Sequence, residues 1–155
     1  MRRSEKEMTD KKEIEQVIES ADVCRIAFAD NNVPYIVAMN FGYSGSGSPV
    51  LYFHCAYEGK KIDLIKKNNY VCFEMDTDHE LYGGSRACDF GMRYRSVVGW
   101  GHISIVSAEI DKIKGLDHIM SHYSAGGKHE YDQSALDRML VLKLEISQMT
   151  GKKSI

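Results

Sequence analysis

Residues 51–68 read LYFHCAYEGKKIDLIKKN and gather several side chains that could do chemistry. His54 lies in an apolar, strand-like run, and Gly59, Lys60 and Lys61 stand where a short helix would begin. A glycine at that turn permits close backbone approach. A helix start leaves N–H groups without intrahelical partners and carries partial positive charge. With two lysines added, the arrangement can seat a phosphate; from spacing alone the commoner reading is a core strand, a turn and a solvated helix. Glu58 is an odd neighbour for an anion unless it points away. Strand alternation puts Leu51, Phe53 and Cys55 on one face and Tyr52, His54 and Ala56 on the other. If the first face packs the core, His54 is either structural or free to donate a hydrogen bond and to titrate near neutral pH.

Other groups carry less. His118 and His122 have helical i, i+4 spacing, which suits a metal, with Asp117, His129 and Glu130 nearby in sequence. No third ligand has a convincing position, so a solvated or rim placement is expected and no metal site is assigned. In YRSVVGWGHI, Arg95 and Ser96 could meet a ligand, while Trp100 reads as core. Neither GxxxxGK[ST] nor GxGxxG occurs, which excludes a nucleotide-triphosphate loop and a dinucleotide fold. No Ser-His-Asp or Cys-His order suggests a nucleophilic system.

These groups need a scaffold, and its pattern is mostly period two. Asp10 followed by Glu13, then Ile14, Val17, Ile18 and Ala21, predicts a short amphipathic helix over 11–20. Strands are expected at 23–29, 35–41, 50–56, 70–76, 94–107 and 138–147, the first two joined as a hairpin through DNNVP. Further helices are expected at 60–68 and 108–124. Residues 77–93 read as an irregular, functional loop, and the strand glycines Gly99 and Gly101 as a bend. Six strands with short peripheral helices suggest a mainly β, antiparallel barrel occupying 1–155 as one domain, with polar tails at 1–10 and 148–155.

The composition sets outer limits. With 43% apolar and 27% charged residues, the 155-residue chain has an ordinary globular make-up. A net charge of −2 gives no reason to expect nucleic acid or an anionic membrane as partner. The apolar runs are too short to span a bilayer, and the charged N-terminus does not read as a secretory signal. Cys24, Cys55 and Cys72 in strand-like runs, with no CxxC, read as free thiols of a reducing cytoplasm.

Four blocks in order, CRIAFADNNVPYIVAMNFGY, LYFHCAYEGKKIDLIKKN, VCFEMDTDHEL and YRSVVGWGHI, resemble the flavin-binding split-barrel superfamily of pyridoxamine 5′-phosphate oxidase-like proteins. The similarity is greatest to its 5-nitroimidazole-resistance (Nim-type) branch and spans nearly the whole chain. It implies a six-stranded split β-barrel that forms a homodimer, with two flavin sites at the interface. Val37, Ala38, Met39 and Asn40 match the strand that runs along the flavin ring. Gly59, Lys60 and Lys61 match the phosphate-holding segment, usually Ser-Arg-Lys in the oxidases, so this chain lacks a hydroxyl and a guanidinium fork there. His54 matches a histidine close to flavin and substrate, and Tyr94, Arg95, Ser96 and Val97 match a strand that reaches the ring. The C-terminal residues with which the oxidases grip pyridoxal phosphate have no counterpart. The resemblance therefore implies a cytoplasmic, FMN-dependent oxidoreductase (FAD being possible) that reduces small nitroaromatics such as 5-nitroimidazoles, with His54 orienting substrate or donating a proton. The alternative it implies is a non-catalytic flavin- or haem-binding carrier.

Overall fold

The computed structural model describes residues 4–124, 126–127 and 129–154. In chain order the elements are β1 (Glu7–Met8), α1 (Lys11–Ser20), β2 (Cys24–Asp30), β3 (Val33–Met39), β4 (Gly42–Ser44), β5 (Val50–Cys55), α2 (Lys60–Lys67), β6 (Tyr70–Tyr82), β7 (Gly91–Ile105), α3 (Glu109–Tyr123), α4 (Gln133–Leu136) and β8 (Leu140–Ser154). The strands form one sheet in the order β3-β2-β6-β7-β8-β5-β4, with β1 added on β8. Every pairing is antiparallel. The six long strands are those expected; β1 and β4 are short additions. No described helix is long and apolar enough to cross a membrane.

Local chemistry explains the early elements. Asp10 caps α1 by accepting from the Lys12 N–H at 2.9 Å, which satisfies one of the helix's unpaired donors. Its apolar stripe, Ile14, Val17 and Ile18, is buried. In β2 the alternate residues Cys24, Ile26 and Phe28 have no exposed surface at all. The β2–β3 turn is Asn31–Asn32, both left-handed with φ of 49° and 63°, a conformation asparagine tolerates. It matches the right-handed twist of a two-residue hairpin.

Two apolar clusters hold the sheet. The larger fills the barrel and includes Phe28, Phe41, Phe53, Phe73, Ile103 and Leu142. The smaller lies under α3 and joins Val50, Tyr52 and Val141 to Leu116, Ile119 and Leu136. β5 is thus buried on both faces. Helix α3 sits close because Gly42 lacks a side chain: a Cβ there would run into the backbone of His118 and Ile119.

Three expectations are corrected. Of residues 77–93 only 83–90 are irregular: β6 and β7 extend on either side as a long hairpin arm, paired out to Tyr82 and Gly91 with one register shift between Thr77 and Glu80. Within the expected polar tails, Glu7–Met8 and residues 148–154 are paired strand. Met8 is buried, and β8 runs to Ser154 against β7, because Gly151 leaves room for Met8 and Ile14. Trp100 is half-buried rather than core, and the expected irregularity in this strand falls between Trp100 and Gly101.

Candidate functional site

A cavity of about 450 Å³ opens where β3 ends and β5 gives way to α2. From β3 and its continuation come Val37, Ala38, Met39 and Asn40; from the end of β5, His54, Cys55 and Ala56; from α2, Lys61. The wall is completed by Arg138 and Met139, which lead into β8. The sheet positions these groups. β3 is its edge strand, so the 37–40 backbone presents unpaired groups outward. β8 meets β5 with Cys55 opposite Leu140 and His54 opposite Val141, so Arg138 and Met139 continue the strand beside the turn that follows β5.

His54 lies on the β5 face predicted for it. Tyr52, two residues earlier on that face, is buried under α3, whereas His54 is exposed to the cavity. Cys55 points the other way and is buried. Burial pushes its thiol pKa up, and the Lys61 ammonium opposes that shift, which is the electrostatic sign of a cation beside the cavity floor.

The turn before α2 has an unusual backbone. Gly59 is the residue before the helix, with φ 132° and ψ 161°, a region essentially restricted to glycine. Its carbonyl accepts from the Ile62 N–H at 2.9 Å and the Asp63 N–H at 3.3 Å. No side chain caps the helix start, so the Lys60 and Lys61 N–H groups stay available to an anion. A Cβ on Gly59 would meet nothing within 4 Å; conformation requires the glycine, and the space beside it is open. The two lysines differ. Lys61 lines the cavity, while the Lys60 ammonium lies 4.5 Å from the centre of the Tyr35 ring, a cation–π contact. Glu58 is exposed and not among the lining residues. Among the described residues, no carboxylate lines this cavity. These features fit a phosphate-bearing ligand.

Tyr94, Arg95, Ser96 and Val97 lie elsewhere, in β7 between β6 and β8. Val97 is a fully buried barrel residue, so only its backbone is available to a ligand. Arg95 faces Asp78 at 3.6 Å, and Tyr94 lies 5.3 Å from the Lys152 ammonium. Within one chain these four do not join the cavity.

His118 and His122 are half-buried at the rim of a groove beside Glu19 and Tyr43, and both are engaged by neighbours. The His122 Nε2–H donates to the Ala21 carbonyl at 2.8 Å, and its ring lies 4.3 Å from that of Phe41. His118 stacks on Tyr52 with the rings 3° from parallel; its pKa is lowered, chiefly by burial and then by Lys114. Both fasten α3 to the sheet. Among the described residues, no three His, Cys, Asp or Glu side chains are grouped to hold a metal.

The sequence reading missed Cys55, Ala56, Arg138 and Met139 as wall residues. The strand alternation around His54 signalled Ala56, which shares its face, but not Cys55, which faces the barrel. Nothing local signals Arg138, because its place depends on the pairing of β5 with β8, whose first bridged residues lie 85 positions apart in the chain.

Solved structures share this fold. A candidate 5-nitroimidazole antibiotic resistance protein from Bacteroides thetaiotaomicron superimposes with a TM-score of 0.83 at 34% identity, covering 95% of this chain and 86% of that one. The flavocytochrome from Azotobacter vinelandii gives 0.83 at 17% identity, covering 100% and 72%. The FAD and heme binding protein from Mycobacterium smegmatis gives 0.83 at 16%, covering 96% and 73%. At those lower identities the likeness speaks for the fold alone. Curated proteins yield no match. The model for the pyridoxamine 5′-phosphate oxidase family matches residues 10–153, and the chain belongs to that family.

Proposed function

We propose that this protein binds a flavin in the β3–β5–α2 cavity and uses it to reduce small nitroaromatic compounds, of which 5-nitroimidazoles are the type. The observation that carries the reading is the convergence of Val37–Asn40, His54 and Lys61 on one cavity free of carboxylates. The 34% identity to a candidate 5-nitroimidazole resistance protein supports the substrate class.

Each group has a role in this reading. The first-turn N–H groups of α2 and the Lys61 ammonium hold the phosphate, with Gly59 leaving the approach open. The edge backbone of β3 hydrogen-bonds the ring. His54 stands at the open side of the cavity, where its imidazole orients the substrate or delivers a proton to it. A bound flavin supplies two-electron redox chemistry, and the protein supplies position, charge and the exclusion of water. Reduction of a nitro group to an amine takes several such cycles, each consuming protons and an external reductant.

The site is completed by a second copy of the chain in this reading. Its support is twofold: Tyr94–Val97 do not reach the cavity of their own chain, and β3 exposes Ile36 (64%) and Val33 (61%) along a free sheet edge. The cofactor is FMN or FAD, and the setting is the cytoplasm.

The test starts with the visible spectrum of the purified protein and the mass of whatever denaturation releases. Lack of flavin bands after incubation with FMN and with FAD ends the proposal. A bound, reduced flavin that a 5-nitroimidazole fails to reoxidise without oxygen points instead to a carrier.

A further inference from the structure

Arg138 is the part of the cavity that the proposed function leaves unused. It follows α4, where its N–H donates to the Ala135 carbonyl at 3.1 Å, and it precedes β8. Its side chain is exposed and lines the cavity. Among the described residues it enters no salt bridge. Most other arginines do: Arg25, Arg86, Arg93 and Arg95 each face a carboxylate within 4 Å. Among the described residues the cavity thus holds two full cations on separate elements, Lys61 on α2 and Arg138 before β8, and no counter-charge.

In the flavin reading, one phosphate at the α2 N-terminus engages Lys61. Arg138, on the segment leading into β8 beside β5's end, is left without an anion. A guanidinium offers a planar fork of donors, suited to a carboxylate or a second phosphate. We propose that Arg138 is a second oxyanion anchor of this cavity, binding a group distinct from the phosphate held at Lys61; the proposal rests on the flavin reading above. The oxyanion has two sources of the same chemistry. It is either the second phosphate of a dinucleotide flavin, which makes Arg138 a selector of FAD over FMN, or the carboxylate of an acidic substrate beside the ring.

The experiment compares the wild-type chain with Arg138→Gln and Arg138→Lys, using melting temperature to confirm that all three fold. FMN and FAD are titrated by quenching of flavin fluorescence. Benzoate and its uncharged analogue benzamide are titrated into the flavin-loaded proteins by the shift of the visible bands. Loss of a charge-assisted, two-donor contact weakens binding about tenfold or more. For a cofactor phosphate, Arg138→Gln loses FAD affinity by that factor and keeps FMN. For a substrate carboxylate, it loses benzoate and keeps benzamide. Arg138→Lys recovers part of either loss, since it restores the charge without the fork. Equal FAD-to-FMN and benzoate-to-benzamide ratios in wild type and Arg138→Gln overturn the proposal while leaving the flavin reading intact. A wild-type chain that takes up neither flavin removes that reading first, and benzoate against benzamide, titrated by calorimetry into the flavin-free wild type and Arg138→Gln, then decides Arg138 alone.

Discussion

Replacing Gly59 tests whether the approach to α2 depends on glycine's conformational range. With φ 132° and ψ 161°, Gly59 lies outside the left-handed helical region as well as the ordinary ones. A side chain there costs about 1–3 kcal/mol in backbone strain. Packing neither adds to this nor relieves it, because a Cβ meets no atom within 4 Å. Taking about 2 kcal/mol, and a urea dependence of about 2 kcal/mol per molar, Gly59→Ala lowers the unfolding midpoint by roughly 1 M. Gly59→Asn is the sharper control. Asparagine relieves strain in the left-handed helical region, where ψ is about 47°, so it rescues nothing at ψ 161° and falls as far as alanine. Gly59→Ser, which restores the serine common in the related oxidases, also loses stability despite its hydroxyl. Should the variant escape strain by rotating the peptide, the first-turn N–H groups turn away and FMN binding weakens instead. Urea melts followed by circular dichroism, paired with FMN titration, read both effects. An Asn variant matching the wild type in midpoint and FMN affinity refutes the reasoning.

Three further outcomes are expected. Lys61→Ala weakens FMN binding about tenfold or more while leaving the unfolding midpoint near wild type, and Lys60→Ala does less because that ammonium rests on Tyr35; equal losses in fluorescence titration would contradict the division. Thr77 is buried, and its Oγ1 has no partner among the described residues, so Thr77→Val holds or raises stability, by up to about 1 kcal/mol; a clear drop in the melt refutes this. Burial works to raise the Asp76 pKa, but Arg25 Nη1 and His79 Nε2, the latter at 2.9 Å, hold it below the ordinary 3.8. A depressed folded pKa stabilises fully above pH 3.8 and loses that contribution as pH falls through the folded value. Asp76→Asn therefore flattens the acid limb of the stability profile, by less than about 1 kcal/mol for so exposed a cluster, and an unchanged limb argues against it.

The sequence showed its elements wherever one face was buried and the other wet. β2 alternates cleanly because Cys24, Ile26 and Phe28 face the barrel, and α1 begins where Asp10 can cap it. The signal failed where burial stopped alternating. From Asp78 to Tyr82, β6 runs exposed on both faces, so its polar residues imitate a loop. β8 beyond Ser147 keeps its pairing with β7 while only Gly151 is buried, and it imitates a tail. Long-range pairing, not local pattern, makes both into strand. The site divides the same way. His54 and the Gly-Lys-Lys were visible as residue types at a suggestive spacing, and the four blocks in order supplied their roles. The engagement of His118 and His122 with Tyr52, Phe41 and the Ala21 carbonyl was not visible, because those partners come from other elements.

The position of His54 follows from how the two apolar clusters end. A strand buried on both faces has no place for an uncompensated imidazole, and β5 is such a strand through Phe53. At position 52 the side chain lies under α3 and at position 53 it lies inside the barrel. Position 54 is the first on the outer face to clear α3, just before the chain turns toward α2. Lys61 is placed by the same logic: Ile62, Leu64 and Ile65 anchor α2 to the barrel, which leaves the helix's first turn at the cavity wall. The reactive groups thus occupy the points where packing runs out, so the sequence can vary them with little effect on the core that fixes their spacing.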